Sequence, residues 1–344
     1  MHPYDPYRRS VLFALTGLIA GSAAAQGARP APQRGDWETW KAAFLAPEGR
    51  VIDDGQEAIS HSEGQAYGLL LAQAFGDREA FERIEGWTQR RLATRQDALM
   101  AWKWQAGAVG DWRNATDGDL LRGWALLRAG RDSGWTGHAD KVGPIARAIA
   151  EICLAPDPRA PKEPLLKPSD QSLATAETVL VNPSYYVPRA MIELGEATGV
   201  TALVRAAAHG ETLLRDPRAL RDWVSVTREG PRPPEGLADR FGWDALRIPL
   251  YLAWSGRWRH PAMNVAARRF SAAPAPGHVA TVTGPDAHPL VQSNAPGFLA
   301  VAALAARRAP PASAGGTAQG YYPATLALLA QVARAEGGDA EGPH

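Results

Sequence analysis

Apolar residues recur at spacings of three and four along most of the chain, which is the period of helices with one buried face. Pro- and Gly-rich stretches separate these segments, and only short pieces such as Trp223–Thr227 favour a strand. The pattern predicts an all-α protein with long loops and minor β pieces. A closed helical toroid with alternating inner and outer helices suits it, although a helical solenoid would produce a similar periodicity.

The predicted helices are of modest length, and several have recognisable starts. Pro188 stands at a favoured first position before one segment, and Asp117 and Asp119 are candidate caps for another. The helical segments are 67–74, 81–92, 120–127, 142–153, 190–197, 201–214, 244–254, 298–306 and 324–333. The longest predicted loops cover 155–168, 230–236 and 273–297.

The first 25 residues read as a secretory signal peptide. Arg8 and Arg9 precede a short apolar run, and small residues lead to Ala25. We therefore predict a periplasmic or secreted protein with no membrane span after signal cleavage, exported by the general or the twin-arginine route. An uncleaved anchor or an ordinary first helix is the alternative. The predicted domains are a leader at 26–36, one catalytic domain at 37–335 and a flexible tail at 336–344.

The charge balance excludes several classes of function. Lys and Arg number 37 against 36 Asp and Glu, so there is no excess of positive charge for a nucleic-acid backbone. No phosphate-binding loop or H-E-x-x-H motif occurs, and the histidines are scattered, so no metal site is predicted. Cys153 is the single cysteine and falls on a helical apolar face, which indicates a core thiol.

Three acidic motifs stand at predicted helix starts beside glycine or aromatic residues. They contain Glu63, Asp117 with Asp119, and Asp244, and Arg247 follows Asp244 at helical spacing, where it would hold that carboxyl ionised. Glycosidic hydrolysis requires one carboxylic acid and a second carboxylate, so these residues are candidates for that chemistry. Any one of them has a simpler explanation, because acids are favoured in the first turn of helices.

Tryptophans near these motifs add a second indication. The chain has 12 Trp, and flat rings stack on the apolar faces of sugars. Trp102 lies in a non-periodic loop and is the best candidate for such a platform. His61 is close enough in sequence to bond to Glu63, but a structural role at the surface is an equal alternative.

Together the three motifs resemble glycoside hydrolase family 8, and within it the periplasmic endoglucanases that accompany bacterial cellulose synthase. The resemblance covers about 37–333. It implies an (α/α)6 barrel with an open cleft, inversion of configuration and no cofactor. The implied substrate is a β-1,4-glucan, with a possible functional association with the cellulose synthase complex. Hydrolysis of chitosan, xylan or mixed-linkage glucan, or a non-catalytic glucan-binding scaffold, are the alternatives.

The same resemblance implies a role for each matching residue. Glu63 would be the general acid, Asp244 the general base, and Asp117 the carboxylate that grips the distorted sugar. The implied supporting or substrate-binding residues are Arg247 beside the base, Tyr185 at the attacking water, Trp102 as a platform, Gln65 and Tyr322. The chain departs from the family signature at Arg122-Gly123, which puts local packing in question rather than chemistry.

Two physical expectations follow from these roles. The carboxyl groups of Glu63 and Asp244 should lie roughly 6.5–9.5 Å apart, the gap that admits a water in an inverting enzyme. Asp117 should lie on the same face and raise the pKa of Glu63 by repulsion between like charges.

Overall fold

The protein is described from a computed structural model, which covers residues 33–310 and 317–338. Its α-helices are α1 (Arg34–Phe44), α2 (Ser62–Ala74), α3 (Arg78–Arg91), α4 (Thr116–Ser133), α5 (Ala139–Ile152), α6 (Pro188–Thr198), α7 (Thr201–Leu213), α8 (Ile248–Trp254), α9 (Pro261–Phe270), α10 (Pro296–Ala305) and α11 (Tyr321–Glu336).

The described helices close into a ring. α2 packs against α4, α4 against α6, α6 against α8, α8 against α11, and α11 against α2. A second set covers the outside of this ring: α3 lies on α2, α5 on α4, α7 on α6, and α1 on α11, while α9 packs on both α8 and α10. Nearly every residue of α2 and all of α8 are buried, as inner helices require. The predicted toroid is confirmed, and a solenoid is excluded.

Short antiparallel strands occupy the connections between helices. The strands are β1 (Ser60–His61), β2 (Lys103–Gln105), β3 (Ala108–Asp111), β4 (Leu154–Asp157), β5 (Ala160–Leu166), β6 (Thr178–Val181), β7 (Val224–Thr227), β8 (Gly230–Arg232), β9 (Val279–Thr283) and β10 (Pro289–Ser293). They pair as β1-β2-β3, β4-β5, β6-β7-β8 and β9-β10. The strand predicted at Trp223–Thr227 is confirmed as β7.

Most helix starts agree with the sequence pattern. Pro188 is at the first position of α6, as predicted, and Asp77 caps α3 by accepting the N–H of Ala80 at 3.0 Å. The capping role predicted for Asp117 and Asp119 is wrong. α4 begins one residue before Asp117, its cap position is Ala115, and both acids lie inside the first turn.

Other differences concern the limits of elements. The predicted helix at 244–254 is a 3₁₀ turn, Ala245–Arg247, followed by α8, because Pro249 fits only the first turn of a helix. The sequence pattern missed α1 and α9, and the loop predicted at 273–297 contains the β9-β10 hairpin.

The predicted domain limits remain predictions. α1 begins at Arg34 and α11 ends at Glu336, whereas the predicted domain covers 37–335. The predicted signal peptide and most of the predicted tail lie outside the described residues. Among the described helices, none combines the length and the apolar composition needed to span a bilayer.

Candidate active site

Glu63 lies in the first turn of α2, which begins directly after strand β1. His61 caps this helix, since its Nδ1 accepts the N–H of Gly64 at 3.0 Å, and its Nε2 lies 3.3 Å from Asp53. His61 is buried, and its two ring nitrogens face Gly64 and Asp53, so it has neither the predicted surface role nor a hydrogen bond to Glu63. The backbone of Trp102 accepts the N–H of Ser62 at 2.9 Å, which ties the Trp102 loop to the start of α2.

Asp117 reaches Glu63 because α2 and α4 begin in close contact. A Cβ on Gly118 would lie 2.5 Å from the Ser62 hydroxyl oxygen and 2.8 Å from the backbone nitrogen of Glu63, so no larger residue fits there. The Asp117 side chain is 3% exposed, and its Oδ1 accepts the N–H of Gly118 at 2.8 Å. The glycine that follows Asp117 therefore permits the approach of the two acids.

Asp244 is held by a buried carboxylate that the sequence reasoning missed. Oδ1 of Asp222 accepts the backbone N–H groups of Gly242, Asp244 and Ala245 at 2.9, 3.1 and 3.0 Å. Its Oδ2 accepts from Arg240 at 2.8 Å. Asp222 is 1% exposed. Three hydrogen bonds to one carboxylate oxygen fix the turn that presents the Asp244 side chain.

Arg247 joins the predicted acids. Its Nη1 contacts Oε1 of Glu63, and its Nη2 donates to Asp244 Oδ1 at 2.7 Å and lies 3.8 Å from Asp117 Oδ2. Nη2 also donates to the Ser184 hydroxyl at 2.9 Å, which anchors the guanidinium group to the 3₁₀ turn after β6. The three motifs, far apart in sequence, therefore meet at one buried cation.

The ionisation of the cluster differs from what the sequence predicted. Burial acts to raise the pKa of Glu63, but Arg247, His61 and the Tyr67 hydrogen bond outweigh it, and the pKa of Glu63 is lowered. Burial and the charge of Glu63 instead raise the pKa of Asp117 well above its ordinary value. The expectation that Asp117 would raise the pKa of Glu63 is wrong, because Arg247 contacts Glu63 directly and is farther from Asp117.

The pKa of Asp244 is raised to about 6, chiefly by burial and further by the negative charges of Asp222 and Glu63. Arg247 lowers it, as the sequence suggested, but does not outweigh burial. Glu63 therefore favours its charged form and Asp117 its protonated form, and the pKa of Asp244 lies at about 6.

Two cavities are lined by aromatic residues, and one of them opens on the carboxylates of the cluster. We call one the Trp243 cleft; it has a volume of about 520 Å³ and is lined by Glu63, Asp244, Trp243, Phe298 and Tyr322, among others. We call the other the Trp102 cleft; it has a volume of about 460 Å³, and its lining includes Trp102, Tyr185, Trp223, Leu173 and Leu237.

The supporting residues fall into two groups. Tyr185 and Trp102 line the Trp102 cleft, and the pKa of Tyr185 is raised by burial and by the nearby charges of Asp117 and Asp244. Tyr322 lines the Trp243 cleft and donates to the backbone oxygen of Trp243 at 2.6 Å. Each of the three lines one of the two clefts, and the roles that the resemblance implied for them remain predictions.

Gln65 does not reach the site. It is fully buried, and its side chain accepts the N–H of Val51 at 2.6 Å and donates to the Thr88 hydroxyl at 2.9 Å. Its amide therefore ties α2 to α3 and to the preceding loop. Gln65 is part of the motif that contains Glu63 and was predicted to bind substrate or to support the site, but the helix turns this position away from the cleft.

Asp119 and the Arg122-Gly123 departure are structural. Asp119 accepts the N–H of Met100 at 2.7 Å, which positions the loop that carries Trp102. Arg122 is buried and forms two hydrogen bonds with Glu85, which is also buried, at 2.5 and 3.0 Å. A Cβ on Gly123 would lie 3.0 Å from Ile145, so its absence lets α5 pack closely on α4. No three described His, Cys, Asp or Glu side chains are grouped as ligands of a metal ion.

Comparison with known proteins gives consistent matches over most of the chain. Residues 5–336 match the family model described as glycosyl hydrolases family 8. A probable endoglucanase from Novacetimonas hansenii is 32% identical over 350 residues, which cover 95% of this chain and 98% of that protein.

Solved structures of endoglucanases share the fold. The family 8 endoglucanase Cel10 from Klebsiella pneumoniae superposes with a TM-score of 0.79 at 27% identity, over 88% of this chain and 99% of that one. The endo-β-1,4-glucanase CMCax from Acetobacter xylinum has a TM-score of 0.77 at 28% identity, over 90% and 99%. The ring of helices is thus an (α/α)6 barrel.

Proposed function

The chain belongs to glycosyl hydrolases family 8, and from this we propose that it is an endo-β-1,4-glucanase that cuts cellulose-type glucan. The family inverts configuration at the cleaved carbon. The observation that carries the proposal is the meeting of Glu63, Asp117 and Asp244 at Arg247, beside two aromatic-lined clefts. An inverting hydrolase requires a carboxylic acid at the leaving oxygen and a carboxylate at the attacking water.

We assign Glu63 as the acid and Asp244 as the base. Asp244 keeps 27% of its side chain exposed toward the Trp243 cleft, so a water can reach it, and Tyr185 lies close enough to help hold that water. Asp117 is the carboxylate that holds the sugar at the cleavage point. Reaction requires a proton on Glu63 and a charge on Asp244, so the reactive protonation state is the minor one in the ligand-free protein. The separation of 6.5–9.5 Å remains a prediction.

The lining of the Trp102 cleft favours a neutral polymer. Trp102 and Trp223 offer flat apolar surfaces for sugar rings, and Arg113 carries a positive charge there. Among the described residues that line this cleft, none is a carboxylate that would bind the amines of chitosan. Xylan and mixed-linkage glucan are uncharged like cellulose, and the lining does not discriminate against them.

A comparison of substrates tests the proposal. Initial rates of reducing-end release should be highest on carboxymethylcellulose or cello-oligosaccharides, lower on mixed-linkage glucan and xylan, and lowest on chitosan. Higher turnover on mixed-linkage glucan, xylan or chitosan would show that this polymer, and not cellulose-type glucan, is the preferred substrate. A wild-type protein that cuts none of them, and a Glu63→Gln variant that still supports cellular function, would favour the non-catalytic scaffold.

The location of the protein is part of the proposal. Residues 1–25 have the composition of an export signal, and on that basis we propose that the mature protein is periplasmic or secreted. The functional association with cellulose synthase that we propose rests on the resemblance to endoglucanases that accompany this complex. Cell fractionation and N-terminal sequencing of the mature protein test the location. Retention of residues 1–25 in a membrane fraction would support an anchor instead, and export after substitution of both Arg8 and Arg9 by Lys would favour the general route.

A further inference from the structure

Two buried tyrosines lie one helical turn beyond the charged residues of the site. Tyr67 follows Glu63 by four residues in α2, and Tyr251 follows Arg247 by four residues in α8. Residues four apart lie on the same face of a helix, so each tyrosine lies directly beneath its charged neighbour. Both side chains are almost completely buried, and their hydroxyl oxygens are 2.5 Å apart.

The chemistry of the acceptor fixes the direction of these hydrogen bonds. Tyr67 donates to Oε1 of Glu63 at 2.6 Å. A tyrosine hydroxyl has one proton, and Tyr67 uses it in this bond, so the contact between the tyrosines must be donated by Tyr251. The chain of donors runs from Tyr251 through Tyr67 to Glu63. Successive hydrogen bonds in a buried environment polarise one another, so Tyr251 strengthens the bond that Tyr67 makes.

Oε1 of Glu63 is occupied by two donors. Arg247 Nη1 contacts the same oxygen that accepts from Tyr67. A proton on that oxygen would face two donors at close range, whereas the other oxygen, Oε2, meets neither of them.

We propose that Tyr67 and Tyr251 form a relay that holds Oε1 of Glu63 and favours its ionised form, with Tyr251 acting only through Tyr67. The two tyrosines are positioning residues, and their relevance to catalysis rests on the proposed role of Glu63 as the acid. The relay explains why α2 and α8, which are separated by α11 in the ring, each place a tyrosine at the same depth below the site.

Several other groups face Glu63 and remain in place when either tyrosine is changed. They come from each element around it: His61 before α2, Asp117 in α4, Tyr185 in the turn after β6, Asp244 and Arg247 before α8, and Tyr321 and Tyr322 in α11. The hydrogen bond from Tyr67 lowers the pKa of Glu63. Substitution by phenylalanine removes that bond and leaves the surrounding charges unchanged.

The test is a titration of the Glu63 carboxyl carbon by ¹³C NMR in the ligand-free protein, assigned by the signal lost in Glu63→Gln. Tyr67→Phe should raise the pKa of Glu63 by about one unit, because one hydrogen bond to the charged form is lost. Tyr251→Phe should raise it by less. The double variant should match Tyr67→Phe, since Tyr251 has no effect once Tyr67 lacks its hydroxyl.

Tyr321→Phe is the matched control. Tyr321 is also buried beside Glu63, and within the described part of the chain its hydroxyl has no hydrogen-bond partner. This variant should titrate like the wild type. In the pH profile of kcat/KM on cellohexaose, the limb that the pKa of Glu63 sets should move to higher pH in Tyr67→Phe. It should stay in place in Tyr321→Phe.

Either of two results would overturn the relay: an unchanged pKa of Glu63 in Tyr67→Phe, or shifts that add in the double variant. The NMR titration needs no turnover, so it separates this inference from the proposed function. A shifted pKa in a protein that cuts no glucan would leave the relay intact and contradict the hydrolase. An active glucanase in which Tyr67→Phe does not shift the pKa of Glu63 would support the hydrolase and contradict the relay.

Discussion

Arg247 donates to Asp244 at 2.7 Å through one terminal nitrogen, while its other terminal nitrogen contacts Glu63. One buried cation thus links the two carboxylates assigned to the base and the acid. Arg247 carries one positive charge beside two carboxylates, so it holds Glu63 ionised while the pKa of Asp244 stays raised. The same contact explains why Glu63 is ionised in the ligand-free protein, and it sets the pH dependence expected for catalysis.

The first prediction concerns the pH profile. The pKa of Glu63 lies below its ordinary value and that of Asp244 is raised to about 6, whereas reaction needs Glu63 protonated and Asp244 charged. Between the two pKa values, acidification protonates both groups and the effects cancel. Above about pH 6 only the loss of the Glu63 proton matters, so kcat/KM on cellohexaose should fall about tenfold per pH unit. A value that stays constant from pH 6 to 8 would contradict this order.

The second prediction concerns Asp222, the carboxylate beneath the base. Its negative charge helps to raise the pKa of Asp244, and its Oδ1 accepts three backbone N–H groups of the Asp244 turn. Asp222→Asn keeps an acceptor and removes the charge, so the pKa of Asp244 should fall and the alkaline limb of kcat/KM should move to lower pH.

Asp222→Ala is the contrasting variant, because it removes the acceptor as well. It should lower the free energy of unfolding by about 3 kcal/mol or more, since each hydrogen bond to a charged group contributes about 1.5–3 kcal/mol. Urea titration measures this change. If Asp222→Asn leaves the alkaline limb in place, the charge of Asp222 does not act on Asp244.

The third prediction concerns the buried pair of Arg122 and Glu85, where the chain departs from the family signature. Arg122→Met removes the cation beside buried Glu85, which keeps only the hydrogen bond from the Gln89 amide among the described residues, and should lower the free energy of unfolding by about 3–5 kcal/mol. The double variant with Glu85→Leu should recover much of that loss. Both proteins should keep the pH profile of the wild type, because the pair does not contact the active site.

Denaturant titration at pH 7 checks the energies, and a double variant no more stable than Arg122→Met would contradict the explanation.

The pair of Arg122 and Glu85 also shows what the sequence pattern leaves open. An arginine on an apolar helix face has no explanation in the local sequence, because its partner Glu85 lies on α3, 37 residues earlier.

The helices and the three acidic motifs could be predicted because both depend on local patterns, whereas periodicity alone did not separate a ring from a solenoid. A period of three to four marks most inner helices, and Glu63, Asp117 and Asp244 each stand at a recognisable helix entry. The β9-β10 hairpin was missed because buried and exposed residues do not alternate clearly along either strand. Pro and Gly near the strands also indicated a loop.

The ionisation of the site depends on geometry that no local pattern encodes. Asp222 has no helix start or glycine beside it, and its three backbone partners are 20 to 23 residues away. The predicted rise in the pKa of Glu63 caused by Asp117 was wrong, because the sequence does not show which carboxylate Arg247 contacts most closely. Gln65 was predicted to bind substrate or to support the site because of its place in a motif, and only the helix rotation shows that it faces α3.

The central claim is that Glu63 and Asp244 act as acid and base on opposite sides of one glycosidic bond. The most direct measurement is ¹H NMR of the products from cellohexaose during the first minutes of hydrolysis, with Glu63→Gln and Asp244→Asn as matched variants. We predict that the α-anomer appears first and that both variants, folded by circular dichroism, lose activity by a factor of about 10²–10⁴ or more. Initial formation of the β-anomer, or turnover in either variant at the wild-type rate, would contradict the account.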